Sequence, residues 1–322
     1  MILEDQNQLY SDTSAEGLLV PAAITDTGCE RDLNEDRYAV IESSAGTVWI
    51  VCDGMGGASG GELAAQLAID AMRRDLENYP KPDSESALRS AILEANRVIV
   101  LRRQNPAFAG MGTTVVAALF NDAEVVLGYV GDSRAYLVRD RAIQLLTTDH
   151  TYVQKLVDQG QIRHEEALTH PQAHILTKAI GSEPGLEVDQ SRYWVWPLKA
   201  DDVTDFLVLC TDGLYSLVTE GEIANMVSEH TPQRAAVNLI EIAKARGGYD
   251  NITIAVIPLN GQLHREAPVG YQHRPAKSKT AVKKIANTQT ANNSFLKTLL
   301  LIGLLSVLSF LVTVIFIAIH LN

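Results

Sequence analysis

The stretch WIVCDGMGGASGGE, residues 49–62, admits two readings, and the choice between them decides the fold. An apolar run from Val48 to Cys52 stops at Asp53, and five glycines follow between Gly54 and Gly61. One reading is a phosphate-cradling loop; the other is a strand end that presents a carboxylate. A Walker A loop needs Lys-Ser/Thr after its last glycine, and here Gly61 is followed by Glu62. The dinucleotide pattern counted from Gly54 needs a glycine at position 59, where Ser59 stands. Both phosphate-loop readings fail on residues, and the strand end remains.

The same device recurs along the chain. LVLCTDG ends an apolar run at Asp212-Gly213, and LGYVGDSR places Asp132 just after another. GGYDNITIAV places Asp250 immediately before an apolar run, and RDLNEDRYAV does the same with Glu35 and Asp36. A single Asp-Gly is ordinarily a turn. Carboxylates repeated at buried strand ends are costly unless cations neutralise them. Oxygen donors without His or Cys point to Mg²⁺ or Mn²⁺, hard ions that retain several waters.

The elements around these carboxylates follow from local pattern. Residues 48–52, 123–130, 134–139, 206–210 and 252–259 are short runs rich in Val, Ile, Leu and Tyr, bounded by Gly, Asp and Asn, which predicts strands. Residues 61–79 and 84–103 carry apolar residues at helical spacing. Thr231-Pro232 predicts a capped helix start and Gly247-Gly248 its end, while Thr219 with Glu222 has the capping-box spacing. The runs 123–130 and 134–139 are close enough in sequence to predict an antiparallel pair. Together these groups predict a layered α+β domain and not a doubly wound sheet.

Composition narrows the function classes. The 322 residues carry a net charge of −12, but residues 265–322 hold seven Lys/Arg against one acid, a local +6. The remainder is therefore near −18, −12 less +6, which argues against nucleic-acid binding. Cys29, Cys52 and Cys210 are too few and too scattered for a disulfide framework or a zinc site, and are expected to be buried structural thiols. Residues 1–20 read as an N-terminal extension without a signal peptide, and residues 261–296 as a basic, aperiodic linker. TLLLIGLLSVLSFLVTVIFIAI, residues 298–319, is 22 residues without a charge, long enough for a membrane span. With Lys283, Lys284 and Lys297 before it, a transmembrane helix over 297–319 is expected to anchor a cytoplasmic body to the inner membrane, leaving 320–322 as a short tail.

Taken in order and spacing, TDTGCERDLNEDRY, VCDGMGGASGGE, GMGTT, YVGDSRAYLVRD, LTTDHTYVQKLVDQGQI, LVLCTDGL and GGYDNITIAV resemble the bacterial branch of the metal-dependent type 2C Ser/Thr protein phosphatases. The resemblance spans roughly residues 22–258 and implies a phosphatase domain over 21–260, with a variable flap near 150–190. It implies an α-β-β-α sandwich of two antiparallel sheets flanked by helix pairs, with a binuclear Mn²⁺ or Mg²⁺ centre and a weaker third ion at one end.

By the same resemblance, Asp53 bridges the two core metals, the Gly54 carbonyl and Asp36 serve the second, and Glu35 is a nearby ligand or water-holder. Asp212 and Asp250 serve the first metal, Asp132 with Asp212 the third, and Arg31 the phosphate. The implied reaction is hydrolysis of phosphoserine or phosphothreonine in proteins by a metal-bound hydroxide, with no protein nucleophile, so Ser133 and Cys210 stay structural. Ser133 is expected to hydrogen-bond within its own turn. Implied partners are phosphorylated proteins and a cognate Ser/Thr kinase, for a chain expected to be monomeric. Met55 stands where eukaryotic members have a His, and Ala173-His174 replaces the usual Arg-Asn pair of the flap. Flap histidines His150, His164, His170 and His174 lack zinc spacing and are expected to be solvated or capping. Two alternatives stay open: a phosphatase dedicated to one partner-switching regulator, and a catalytically silent phosphoprotein-binding pseudoenzyme.

Overall fold

The computed structural model describes residues 19–56, 60–78, 83–121, 124–167, 169–199 and 201–267. The expected N-terminal extension falls almost wholly outside these residues, and the expected membrane span entirely so. Among the described residues no helix is long and apolar enough to cross a membrane.

In chain order the elements are β1 (Ala22–Asp26), β2 (Arg37–Ser43), β3 (Gly46–Cys52), β4 (Gly54–Met55), α1 (Gly60–Asn78) and α2 (Ser84–Arg102). There follow β5 (Gly112–Thr113), β6 (Val115–Asn121), β7 (Glu124–Val130), β8 (Arg134–Arg139), β9 (Ala142–Leu145), α3 (Tyr152–Asp158) and α4 (His164–Ala167). The last are β10 (Asp189–Pro197), β11 (Phe206–Cys210), α5 (Asp212–Tyr215), α6 (Glu220–Glu229), α7 (Pro232–Ala245), β12 (Ile252–Pro258) and β13 (Gly261–His264).

Two antiparallel sheets face each other. One has the order β1-β12-β11-β8-β9 and the other β13-β10-β7-β6-β3-β2, while β4 and β5 form a small separate pair. Between the sheets pack Val51, Val116, Leu127, Leu137, Leu207 and Ala255. The six-stranded sheet is covered by α1 and α2, whose buried stripes Ala64-Ala68-Ala71 and Ala87-Ala91-Ala95 are small enough to let the two helices pack closely. On the five-stranded sheet lie α6 and α7, through Ile223, Ala224, Ala236, Leu239 and Ile240. The expected four layers are present. The helix ends are held as their sequence predicts: Thr219 and Glu222 form a reciprocal capping box, and Thr231 caps α7 with Pro232 in its first turn.

Three expectations need correction. β7 and β8 do not pair: β7 lies between β6 and β10 in one sheet, β8 between β11 and β9 in the other. The tight β6–β7 hairpin and β10 occupy both edges of β7, so the chain crosses between sheets at residues 131–133. Gly131 makes the crossing with φ +107°, where an added Cβ would lie 2.6 Å from Cγ2 of Thr114. Second, residues 261–264, expected to open a linker, form β13 (Gly261–His264), paired with Trp194–Pro197. Only Gly261 and Leu263 of that strand are buried, an alternation too short to stand out from a polar segment. Third, Cys52 and Cys210 are buried but Cys29 is exposed, because its loop lies outside the sheets against the end of α7.

β13 is fastened by a buried charge. Asp205, fully buried, takes Nε of Arg139 at 2.8 Å, pairs with Nη2 of the same guanidinium, and accepts the Leu263 N–H at 2.6 Å. Removing the cation leaves an uncompensated buried carboxylate. Arg139→Met is therefore expected to cost about 3 kcal/mol, the low end for a broken buried pair because Arg139 itself is partly exposed. Urea unfolding measures the loss; a change within about 0.5 kcal/mol would contradict it.

Candidate metal centre

Antiparallel register brings the acidic segments to one end of the sandwich. Arg37 pairs with Cys52, Val115 with Val130, Cys210 with both Arg134 and Ile254, and Asp26 with Ile252. The ends of β3, β7 and β11 therefore coincide with the starts of β2, β8 and β12. Asp53, Asp132 and Asp212 follow the first three, and Asp36 and Asp250 stand at or just before the starts of β2 and β12.

Their mutual repulsion is large. Burial first, and then Asp36, Asp212, Asp132 and Asp250, push the Asp53 carboxyl well above its ordinary range. Asp36, 1% exposed, is pushed up to about 7, chiefly by burial and further by Asp212 and Asp250, against hydrogen bonds from Thr253 and Thr211. Asp212 is pushed up to about 6 by burial and Asp250. Asp132 rises through burial, Asp212 and Asp149. A counter-charge comes from Arg31, half exposed, whose Nη2 meets Oδ2 of Asp250 at 2.8 Å. A guanidinium has five N–H donors, so this contact leaves others for a phosphate.

The backbone around Asp53 is closely fitted. Thr114 Oγ1 accepts the Asp53 N–H at 2.9 Å, and the Thr114 N–H donates to the Asp53 carbonyl at 2.8 Å. Ser133 bonds Thr114 Oγ1 at 2.7 Å, so it ties two loops together instead of bonding within its own turn as expected. Its turn sits at the sheet crossing, where Thr114 is the near neighbour. Glu35 accepts the Gly61 N–H through Oε1 at 3.0 Å, which fixes the start of α1 and leaves its second oxygen for another partner. An added Cβ on Gly54 would lie 2.2 Å from the Gly61 carbonyl oxygen and 2.6 Å from that of Glu35, so this approach requires glycine.

The donor set suits a hard divalent cation. Every candidate ligand offers oxygen, and Oδ1 of Asp212 is buried without a hydrogen-bond partner. Asp53 stands beside it, but can satisfy that oxygen only when one of the two carboxyls holds a proton. No three His, Cys, Asp or Glu side chains among the described residues converge as a ready-made cage. An ion that keeps several waters needs only one or two carboxylates, so an open arrangement fits Mg²⁺ or Mn²⁺ better than zinc.

Sequence reasoning assigned no role to Thr114, Thr211, Thr253 or the Arg134–Asp149 pair. Arg134 and Asp149 meet at 2.6 Å, nearly buried, beside Asp132. A cavity of about 270 Å³ opens from Asp132, Asp212 and Asp250 toward Gln154, His164 and His174 of the flap. The other two flap histidines cap backbone. His150 accepts the Gly131 N–H through Nδ1 and faces Asp189 with Nε2, and His170 accepts from Gln172.

Fold and site together define a class: a four-layer α-β-β-α sandwich bearing an all-oxygen, carboxylate-rich centre at one end. Known proteins agree. The family description "Protein phosphatase 2C" matches residues 30–242. The chain is 38% identical over 240 residues to the serine/threonine phosphatase stp of Listeria monocytogenes, covering 72% of this chain and 93% of that protein. It superposes on the Mycobacterium tuberculosis serine/threonine phosphatase PstP/Ppp with a TM-score of 0.66 and 36% identity, over 75% of this chain and 98% of that one. A structure of the PstP catalytic domain in complex with two manganese ions matches at a TM-score of 0.64 and 34% identity, over 74% of this chain and 97% of that one. The chain belongs to the protein phosphatase 2C family.

Proposed function

We propose that the chain is a metal-dependent protein phosphatase that hydrolyses phosphoserine and phosphothreonine in proteins. The observation that carries this reading is the set of five Asp residues that strand register brings to one end of the sandwich, one of which, Asp212, has a buried Oδ1 without a hydrogen-bond partner. Asp53 would touch two ions, the Gly54 carbonyl and Asp36 one of them, with Glu35 nearby, and Asp212 and Asp250 the other. Asp132, beside Asp212, would help hold a third. When bound, Mn²⁺ or Mg²⁺ supplies Lewis acidity toward phosphoryl oxygens and lowers the pKa of water. Arg31, half exposed beside Asp250, orients the phosphate with its remaining donors. The flap wall of the cavity, with His164 and His174, meets the polypeptide that carries the phosphate.

Two further parts of this reading rest on sequence and chemistry. The uncharged run 298–319, preceded by lysines, supports a single-pass anchor that holds the phosphatase domain on the cytoplasmic face of a membrane. The opposing partner is a Ser/Thr kinase, since the substrate must first be phosphorylated.

The test is Mn²⁺-dependent phosphate release from a phosphothreonine peptide by the full chain. Asp212→Asn is expected to lower the rate by about 10³-fold, some 4 kcal/mol of transition-state stabilisation. Equal activity in the variant would refute the site. A wild type that binds the peptide but is silent with both Mn²⁺ and Mg²⁺ would make the chain a phosphoprotein-binding module. For the anchor, a chain ending at Asn293 should move from the membrane to the soluble fraction; continued sedimentation with membranes would refute it.

A further inference from the structure

Asp36 is held by a directed circuit of hydrogen bonds. Thr211 and Thr253 both donate to its Oδ2, at 2.8 and 2.7 Å, and both threonines are fully buried. Each hydroxyl has one proton, so the other contacts settle the direction of every bond. Thr211 Oγ1 accepts the backbone N–H of Thr253 at 3.0 Å and gives its own proton to Asp36. Thr253, having given its proton to Asp36, accepts from Thr25 Oγ1 at 2.8 Å. Thr25 accepts in turn from Nδ2 of Asn34 at 2.8 Å, and Oδ1 of Asn34 accepts the Asp36 N–H at 3.1 Å. The circuit Asn34–Thr25–Thr253–Asp36 closes on itself with each hydroxyl proton used once.

Both hydroxyls fall on the same oxygen of Asp36. A free carboxylate can turn either oxygen, or both, toward a cation; this one has Oδ2 held by two hydroxyls. Thr211 directly follows β11 and Thr253 lies in β12, beside which Asp212 and Asp250 also stand, so Asp36 is set in register with them. We propose that Thr211 and Thr253 are positioning residues of the metal centre: their hydroxyls occupy Oδ2 of Asp36 and reserve Oδ1 for the divalent cation. The inference rests on Asp36 being a metal ligand, as set out under the proposed function.

The experiment measures Mn²⁺ affinity of the full chain by isothermal titration calorimetry at fixed neutral pH, with circular dichroism of each metal-free variant as the folding control. Thr253→Val keeps the shape and removes the donor, and is expected to weaken Mn²⁺ binding about tenfold or more. Thr211→Val is expected to act in the same direction. Thr253→Ser restores the hydroxyl without the methyl and should bind within about twofold of wild type. If Thr253→Val does not fold, Thr211→Val carries the comparison. Wild-type affinity in a folded valine variant would overturn the proposal. So would equal losses in Thr253→Ser and Thr253→Val, because the methyl and not the hydroxyl would then matter. Failure of the underlying site is distinguishable: wild type would then bind Mn²⁺ no better than Asp53→Asn.

Discussion

Asp53→Asn is expected to lower Mn²⁺-dependent phosphate release by about 10³-fold or more, and at the same time to make the metal-free protein more stable. The first effect follows from position. Asp53 stands among Asp36, Asp212, Asp132 and Asp250, each of which disfavours its charge, so a cation shared among them gains most from this carboxylate. Loss of a thousandfold corresponds to about 4 kcal/mol. The second effect has the opposite sign because, without the cation, the same crowding is a penalty on the native state. An amide of equal size has no ionisation for the cluster to suppress on folding, a relief of about 1 kcal/mol, or roughly 2–4 °C in Tm for a domain of this size. Saturating Mn²⁺ reverses the order. Wild type gains about 2.7 kcal/mol when the ion is at a hundred times its Kd, and the variant gains little. Thermal unfolding in EDTA and in Mn²⁺ gives all four values. A variant less stable than wild type in EDTA, or equally stabilised by Mn²⁺, would show that Asp53 is a structural carboxylate.

That carboxylate was legible in the sequence because two signals coincide there: an apolar run that must be a buried strand, and an Asp-Gly that ends it. The same coincidence marks Asp212, and the Asp or Glu at the edges of runs marks Asp36, Asp132 and Asp250. What supports them was not legible. Thr211 and Thr253 are ordinary strand residues by propensity, and their meeting over one oxygen of Asp36 depends on the register of β11 against β12. Thr114 reaches Asp53 across 61 residues of chain. Strand pairing failed for a related reason. Residues 124–130 and 134–139 are both correctly strands, but pattern says nothing of which edges are already taken. A hairpin between them is excluded only once β6 and β10 flank β7. The turn at Gly131, read as a hairpin connection, is instead the sheet-to-sheet crossing that delivers Asp132 to the site. Local chemistry is written locally; the hydroxyls and crossings that aim it are properties of the assembled sheets.

Metal-free protein is expected to lose stability as pH rises from about 4 to 8, the reverse of ordinary acid denaturation. Asp36 is pushed up to about 7 and Asp212 up to about 6, both chiefly by burial, from an ordinary value of 3.8. Below 3.8 both carboxyls are protonated whether the chain is folded or not, and their contribution is fully present. Between that pH and the raised values the native state keeps protons that the unfolded chain has released. More protons bound to the native state means that the unfolding free energy falls as pH rises. The contribution is gone once pH passes the folded values, first for Asp212 and then for Asp36. Each unit of displacement is worth about 1.4 kcal/mol, so a loss of at least about 2 kcal/mol, or roughly 5 °C in Tm, is expected between pH 5 and pH 8. Divalent cations turn this around. They bind the ionised carboxylates and compete with protons, so Mn²⁺ affinity should climb over the same window and the Mn²⁺-loaded protein should be more stable at pH 8 than at pH 5. Unfolding scans across this range, in EDTA and in saturating Mn²⁺, should therefore give curves of opposite slope that diverge as the carboxylates ionise. Parallel curves would mean that protons and metal do not share these carboxylates, and the centre would have to be sought elsewhere in the fold.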